Sequence, residues 1–371
     1  MKRAQFIIFI GSVLAILFLS HFIVYEVAVQ LFGFSGLGLT WLRIILIILA
    51  LSFVPAQVLT VWFYNLWTKI FYRVSVIWLG FLMYLFLAAC VYAIVLGLSS
   101  LSGAGWNFKE FGIGLFLFAV LVGIYALIHA RDICVKKLRI NLPNLPAEWV
   151  GKKILFVSDL HLGQIYGRKF AAKVRDRINA LNPELVLIGG DLYDGGRVDK
   201  PAIISPLSGI TAPRGIYFIT GNHDGFSEKD TIQDIAAITQ ADIKVLRDQF
   251  VDLDGLQVVG VDYRHTIKMD AYETVLKQLA IDTSRPSILL RHVPVFTEIA
   301  ERRGISLQLS GHTHRGQVWP VSLIPNLVYK QFAYGLKSQG SMRVYTSSGV
   351  GTWGPPFRVG TDSELVLIEL G

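Results

Sequence analysis

The stretches SDLH (158–161), GGDLYD (189–194), GNHD (221–224), RHVP (291–294) and SGHTH (310–314) decide how the chain folds. Each follows a largely apolar run that is typical of a buried strand. In an open α/β sheet, the carboxyl ends of the strands lie along one edge, and sites form there. We therefore expect the polar side chains that close these five stretches to lie close together.

Turn chemistry alone does not explain this set of residues. A single Asp or Asn at a strand end commonly forms a turn or caps the next helix. That role gives no reason for a histidine two residues after Asp159, for another beside Asn222, or for the pair His312 and His314. Together the residues indicate one shared site rather than five unrelated turns.

The side-chain types in this set restrict the ions that they would bind. Imidazole, carboxylate and amide groups without a thiolate suit Mn, Fe, Zn or Co. The donors are too many for one tetrahedral zinc ion. Two divalent ions that share a bridging carboxylate fit better. Ions ~3.5–4 Å apart can hold a hydroxide between them and clamp both the attacking and the leaving oxygen of an in-line displacement.

Taken in order, SDLH, GDLYD, GNHD, the single His292 and GHTH resemble the five motifs of the calcineurin-like metallophosphoesterases, over about residues 132–371. The stretches RGQVWP (315–320) and SSGVGTWGPPFRVG (347–360) resemble a membrane-anchored bacterial subgroup, the YkuE-like and YaeI-like phosphodiesterases. The resemblance implies an α/β domain, a four-layer α/β/β/α sandwich. It also implies hydrolysis of a phosphodiester or phosphomonoester bond by a metal-bridged hydroxide.

The resemblance also implies roles for single residues. His223 would be the general acid, and Asp224 would orient its ring through a hydrogen bond. Asp194 would be a supporting residue that orients the site, as outer carboxylates often do. The implied metal ligands are Asp159, His161 and His314 for one ion, Asn222, His292 and His312 for the other, and Asp191 as the bridge between them.

The chain before residue 131 has a different composition. Its apolar runs are each long enough for the ~20 helical residues that cross a hydrocarbon core of ~30 Å. We predict an all-α region of four transmembrane helices over residues 1–130 and a phosphoesterase domain over 131–371. The four predicted helices cover about residues 5–25, 42–63, 74–98 and 111–130.

The net charge of +8 lies almost wholly in the membrane half of the chain, residues 1–141. Residues 1–141 contain 10 Lys/Arg and 3 Asp/Glu, whereas the remainder contains 25 and 24. The basic residues lie in alternate segments between the predicted helices. Lys2 and Arg3 precede the first helix, Lys69 and Arg73 lie between the second and the third, and others follow residue 130. By the positive-inside rule, this pattern predicts a multi-pass protein of the cell membrane with its phosphoesterase domain in the cytoplasm.

Two other functions compete with a membrane-anchored phosphoesterase. A nuclease of the same fold would need a basic surface for the phosphate backbone, and the nearly neutral second half makes a nucleic-acid partner unexpected. A non-catalytic membrane sensor or scaffold would be expected to have lost ligands. All the implied ligands and the acid histidine are present in this sequence.

Three features leave alternatives open. The apolar segment 319–335 either lies against the bilayer, which would suit a lipid-linked phosphate substrate, or forms a core loop. His21, expected near a helix end without a candidate partner inside the membrane, is either an interfacial histidine, which is favoured, or part of a proton relay. The third feature is a set of arginines that either contact phosphate or serve as solvated structural residues, namely Arg291, Arg315 and Arg358.

Overall fold

A computed structural model describes residues 3–102, 107–225 and 227–371, with side chains omitted at 3–7, 9 and 10. Lys2, which enters the topology prediction, lies outside the described residues. The chain forms two compact units. One unit contains Met1–Ile128 with Gly354–Phe357, and the other contains His129–Trp353 with Arg358–Gly371.

Within the described residues of the first unit, four helices are long and apolar enough to cross a membrane. The first three are longer than predicted, because helical backbone continues beyond the predicted apolar runs, past Glu26 in the first helix and across Lys69 and Arg73 in the third. Lys69 and Arg73, predicted to lie in a loop, belong to the first turns of the third helix. Asn65 begins that helix, since its side chain accepts a hydrogen bond from the Thr68 N–H at 3.0 Å. The helices are α1 (Arg3–Phe32), α2 (Gly36–Trp62), α3 (Leu66–Leu101) and α4 (Lys109–His129).

His21 corrects one prediction. It lies in the interior of α1 rather than near its end, and it has a partner on another helix. The Trp78 Nε1–H of α3 donates to His21 Nε2 at 2.9 Å, while His21 Nδ1 lies 2.7 Å from the carbonyl oxygen of Leu17. Both ring nitrogens are therefore satisfied, which agrees with a structural histidine.

The second unit contains two sheets of six strands each among its described residues. In spatial order the first sheet contains β1 (Ile133–Ile140), β12 (Ser363–Leu370), β2 (Lys153–Val157), β3 (Leu185–Ile188), β4 (Ile216–Phe218) and β5 (Lys244–Val245). The second contains β10 (Gly335–Gln339), β11 (Met342–Thr346), β9 (Leu307–Ser310), β8 (Ser287–Leu290), β7 (Leu256–Gly260) and β6 (Gln249–Leu253). The helices of this unit are α5 (Arg168–Ala180), α6 (Lys200–Ile204), α7 (Glu228–Gln240), α8 (Met269–Gln278), α9 (Thr297–Arg302) and α10 (Leu323–Tyr329).

Alternate side chains of the central strands face opposite layers, as the two-residue period of a strand requires. In β2, Leu155 and Val157 pack with residues of α5, whereas Ile154 and Phe156 join the core between the two sheets. In β8, Leu289 packs with residues of α8 and α9. The layer order is therefore α/β/β/α, which confirms the predicted fold class.

The strand directions bring the polar stretches to one region. Strands β2, β3 and β4 run parallel to one another, and so do β8 and β9. Their carboxyl ends lead into the five motifs. Backbone hydrogen bonds join neighbouring motifs directly: the Asp159 N–H donates to the Gly190 carbonyl at 3.0 Å, and the Gly311 N–H donates to the His292 carbonyl at 2.9 Å.

Candidate metal centre

The motifs leave their strands through unusual backbone. A non-glycine residue with positive φ is uncommon, although Asp and His tolerate it better than most. Such residues cost about 1–3 kcal/mol each and cluster at functional sites. Five of the seven predicted ligands have this conformation: Asp159 (φ 57°), His161 (48°), Asp191 (52°), His312 (70°) and His314 (47°).

Glycines allow these loops to approach one another closely. Gly190 has a φ of 95°, and a Cβ atom there would lie 2.7 Å from Nδ1 of His292. At Gly311 a Cβ atom would lie 2.3 Å from Oδ2 of Asp159. No side chain fits at those distances, so both glycines are required for the loops to pack as they do.

One group of donors contains Asp159, His161 and His314, all buried. The Nε2 atoms of His161 and His314 lie 3.1 Å apart. His314 Nε2 lies 3.7 Å from Asp159 Oδ1. The three ligand atoms are within 4.8 Å of one another, which is close enough for one cation to contact all of them.

A second group contains Asp191, His292 and His312. The side-chain oxygen of Asn222 lies between the two imidazoles, 3.1 Å from His292 Nε2 and 2.7 Å from His312 Nδ1. His292 Nδ1 lies 2.8 Å from the carbonyl oxygen of Gly189. That carbonyl favours a proton on Nδ1 and leaves Nε2 free to act as a ligand.

Asp191, a member of the second group, also lies beside the first. Its Oδ1 accepts a hydrogen bond from the His223 N–H at 2.8 Å. Its Oδ2 lies 3.8 Å from His161 Nε2 and 3.2 Å from His292 Nε2. A single oxygen of one carboxylate therefore faces a histidine from each group, which is the position that a bridging ligand needs.

The donors fit divalent cations. Four imidazoles and two carboxylates are collected here in a largely buried space, and burying such groups is unfavourable unless charge compensates them. Nδ1 of His314 is buried without a hydrogen-bond partner in the described part of the chain. The donor set contains nitrogen and oxygen but no sulfur, which suits the ions expected from the sequence.

Comparison with known proteins agrees with the metal-binding geometry of these residues. Residues 152–316 match the model of the calcineurin-like phosphoesterase family. The matched stretch contains all seven predicted ligands and His223. A metallophosphoesterase of Helicobacter pylori (strain J99) is 33% identical over 59% of each chain. One of Campylobacter jejuni is 32% identical over 64% of this chain and 63% of its own.

The name of a further relative includes a transmembrane region. The "transmembrane protein with metallophosphoesterase domain" of Danio rerio is 32% identical over 72% of this chain and 64% of its own length. The chain thus spans 59–64% of the length of these curated relatives.

One imidazole of the candidate metal centre has a pKa high enough to keep it protonated at neutral pH. Burial lowers the pKa of His292, but the nearby carboxylates of Asp191 and Asp159 raise it to about 9 overall. The opposite shift occurs at His312, where burial and the charge of His292 lower the pKa to about 3. Without a bound cation, His292 is therefore protonated at neutral pH and His312 is not.

We expect metal binding to weaken progressively as the pH falls below about 9. The reason is that a cation must displace the proton of His292. Titration calorimetry in two buffers of different ionisation enthalpy should detect proton release on Mn²⁺ binding, and His265→Asn, outside the site, should leave this release unchanged. Proton-independent binding across that range would contradict the expectation.

Asp194 and His223 lie beside the first group of donors. Oδ1 of Asp194 lies 3.3 Å from Nδ1 of His161, on the side of the ring opposite to Nε2. A supporting carboxylate orients a metal-binding histidine from this side of the ring, although these two atoms do not form a hydrogen bond in the described chain. The ring of His223 lies across that of His161, with 5.0 Å between the ring centres. His223 is only partly buried, unlike His161.

Asp224 does not have the predicted contact with the His223 ring. Its buried carboxylate accepts four backbone N–H groups instead, and Nδ1 of His223 has no hydrogen-bond partner among the described residues. A buried carboxylate needs several donors, and backbone amides at two strand ends supply them. The donors are Leu192 and Tyr193 to Oδ1 at 2.9 and 3.1 Å, and Asp191 and Gly221 to Oδ2 at 2.7 and 2.8 Å. Asp224 therefore joins the loops after β3 and β4.

Replacing Asp224 by Ala is expected to lower the apparent unfolding temperature of the protein in detergent by at least about 5 °C. The change leaves four buried N–H groups without acceptors and removes the connection between two ligand loops. Asp176→Ala, at an exposed carboxylate on α5, is the matched control and should have little effect. Equal unfolding temperatures for the two variants would show that Asp224 does not stabilise these loops.

Two of the three arginines considered from the sequence are buried rather than solvated. Arg291 is buried, and its guanidinium stacks 3.6 Å from the centre of the Tyr272 ring. Arg358 is fully buried, and its Nη2 donates to three carbonyl oxygens of loop 348–351 at 2.6, 2.7 and 3.0 Å. The third, Arg315, is half-buried and lies over the Tyr334 ring.

The loop held by Arg358 in turn supports the first ligand. The N–H groups of Val350 and Gly351 donate to the carbonyl oxygens of Ser158 and Asp159, at 3.0 and 2.8 Å. These bonds fix the backbone on either side of the left-handed turn at Asp159. Arg358 is therefore a structural residue for the metal centre rather than a substrate contact.

Sequence analysis missed two tyrosines at the site. The ring of Tyr263 lies 6.0 Å from that of His292, and the ring of Tyr329 lies 6.0 Å from that of His312. Tyr263 follows β7, so the strand-end argument could have found it. The same argument would also have selected Asp262, which instead pairs with Arg247 at 2.5 Å.

Proposed function

We propose that this chain is a membrane-anchored phosphoesterase that uses two divalent ions to hydrolyse phosphodiester or phosphomonoester bonds. The observation that carries the proposal is the meeting of two donor groups at one oxygen of Asp191. The match of residues 152–316 to the calcineurin-like phosphoesterase family supports it. In this proposal residues 131–371 catalyse the reaction and residues 1–130 anchor it in the membrane.

The ligand assignment follows from the two groups. Divalent ions at such a centre lower the pKa of a shared water molecule and neutralise charge that develops on the phosphate. Asp191 would hold both ions, and Asp194 would orient His161 through its ring nitrogen. Asp159, His161 and His314 would hold one ion, and Asn222, His292 and His312 the other, with Mn, Fe, Zn or Co as candidates.

His223 would donate a proton to the leaving oxygen. Its N–H bond to Asp191 fixes it beside the centre, and its partial exposure leaves the ring within reach of a substrate. Burial lowers the pKa of His223, with the neighbouring histidines adding to this effect. A bound phosphate carries negative charge and would raise that pKa again, so that His223 becomes protonated when the substrate is present.

We further infer that the catalytic domain is cytoplasmic, from the alternation of basic residues between the apolar helices. The stretches 315–320 and 347–360 favour the YkuE-like and YaeI-like membrane phosphodiesterases as the subgroup. A lipid-linked phosphate is the substrate class that would best explain an anchored enzyme.

The two rival functions are less well supported. A sensor or scaffold would not need the strained backbone at five predicted ligands, because strain of this kind is maintained only where it serves a site. A nuclease would need a basic surface, and the residues after 141 are nearly neutral.

The proposal is tested with the full-length protein in detergent, stripped with EDTA and reloaded with Mn²⁺, Fe²⁺, Zn²⁺ or Co²⁺ in turn. The substrates are bis-p-nitrophenyl phosphate and p-nitrophenyl phosphate. We expect hydrolysis of at least one ester only after reloading, at a content near two ions per chain. A protein that holds two ions and hydrolyses neither ester would favour the scaffold, and fewer than two ions would contradict the two-metal centre.

A further inference from the structure

A cluster of exposed apolar side chains follows the last pair of predicted ligands along the chain. Leu327 is 80% exposed and Val328 is 62% exposed, which is unusual for large apolar residues so close together. Residues 316–329 contain no charged side chain. Exposed apolar patches of this kind mark sites of interaction with a protein, a ligand or a membrane. We name this patch the α10 surface, formed by Trp319, Leu323, Ile324, Leu327, Val328 and Trp353.

Hydrogen bonds hold the two ends of the α10 surface together. The side chain of Gln317 bonds both backbone groups of Trp353: its Oε1 accepts from the N–H at 2.9 Å, and its Nε2 donates to the carbonyl at 3.1 Å. The Trp319 N–H donates to the carbonyl of Val359 at 3.0 Å. Pro325 is buried and attaches α10 to the domain. The exposed apolar side chains therefore belong to an ordered part of the domain.

The α10 surface is continuous with the metal centre. Tyr329, the last residue of α10, places its ring edge-on to the ring of His312, with 6.0 Å between the ring centres. At the other end, Gly316 lies two residues after His314 and packs directly against Ser322. A molecule that contacts the exposed side chains of α10 is therefore within reach of the site.

We propose that the α10 surface inserts into the headgroup region of a lipid bilayer. The chemistry of the patch fits that partner, because it combines aliphatic side chains with two tryptophans, which prefer the membrane interface. The same chain supplies four helices that are long and apolar enough to cross a bilayer. Only residues 130–132 separate α4 from β1. The domain that begins with β1 and carries the α10 surface therefore cannot diffuse away from the membrane.

This surface also narrows the substrate class, an inference that rests on the proposed function. A substrate with its phosphate at the metal centre would extend its neighbouring groups along α10. That surface offers hydrocarbon contact and no charge. The substrate is therefore an amphipathic phosphoester, taken from the membrane with its acyl or isoprenoid chains still in contact with lipid.

The insertion is tested without reference to activity. A nitroxide label is placed at Leu327→Cys in the full-length protein, with Cys90 and Cys134 replaced by Ala, and reconstituted into phosphatidylcholine–phosphatidylglycerol vesicles. We expect the label to collide more with oxygen than with a water-soluble nickel chelate. The matched control is a label at Ile232→Cys on α7, which is also exposed and should show the reverse. Equal, water-like collision profiles at both positions would overturn the proposal, and so would spin–spin coupling at 327 between two copies.

The substrate class is tested with Leu327→Glu and its control Ile232→Glu. On a vesicle-borne p-nitrophenyl ester of phosphatidic acid, we expect Leu327→Glu to lower kcat/KM at least about tenfold, as when one leucine no longer enters an apolar phase. On soluble bis-p-nitrophenyl phosphate the control Ile232→Glu should match the parent chain, and the loss for Leu327→Glu should be much smaller than on the vesicle-borne ester. An equal loss on both substrates, or no loss on either, contradicts the inference. A parent chain inactive on both esters would refute the proposed function, whereas the nitroxide measurement would still decide the insertion.

Discussion

Replacing Asp191 by Asn is expected to remove at least one metal ion and to abolish hydrolysis. The His223 N–H donates to Oδ1 of Asp191, so the oxygen of an asparagine would take that position. Its NH₂ group would then face His161 and His292, where the bridging oxygen lies in the parent chain. An amide nitrogen has no lone pair for a cation, so both donor groups lose their common ligand.

Asp194→Asn is the matched control for this change, because it alters a carboxylate on the same loop that contacts a histidine from outside the centre. Such supporting residues typically cost about 10–100-fold in metal affinity or activity when they are changed. We expect Asp191→Asn to exceed that loss and to bind at most one ion by mass spectrometry. If Asp191→Asn kept two ions and a rate equal to that of Asp194→Asn, then Asp191 would not be the bridge.

The second large effect is expected at His223. Replacement by Ala should lower kcat about 10²–10⁴-fold on esters with a poorly stabilised leaving oxygen, the range for removal of a general acid. Esters of p-nitrophenol should be much less affected, because their leaving group needs no proton. The metal content should stay the same, since the ring of His223 is in neither of the two donor groups that meet at Asp191.

The dependence on the leaving group distinguishes an acid from a structural histidine. A residue that only holds the site in shape would slow both kinds of ester by the same factor. His265→Ala, at a histidine bonded to Asp248 away from the centre, controls for the loss of an imidazole. A uniform loss across esters, or a loss that follows metal content, would assign His223 a structural role.

The sequence predicted the fold well because the relevant signals are local. The apolar runs before Asp159, Asp191 and His292 are strands, and the two-residue period of their side chains separates the core between the sheets from the outer helix layers. The gathering of the predicted ligands was also foreseeable, since parallel strands end at a common edge. The individual roles of these residues stay predictions.

Long-range contacts explain what sequence analysis could not reach. The acceptor role of Asp224 depends on amides more than 30 residues away along the chain. The partner of His21 lies on a different helix, 57 residues along the chain. Arg358 looked like a solvent-facing residue because isolated arginines usually are. In each case the local pattern contained no information about the side chain that arrives from elsewhere.

The left-handed backbone at five predicted ligands has a consequence for how related chains diverge. Aspartate and histidine tolerate that conformation only moderately, whereas glycine and asparagine adopt it at little cost. A lineage that no longer needed the cations would be free to drift toward glycine or asparagine at these positions and would gain stability. We therefore expect a descendant that has lost catalysis to be recognisable first at residues 159, 161, 191, 312 and 314, before its strands or its core change.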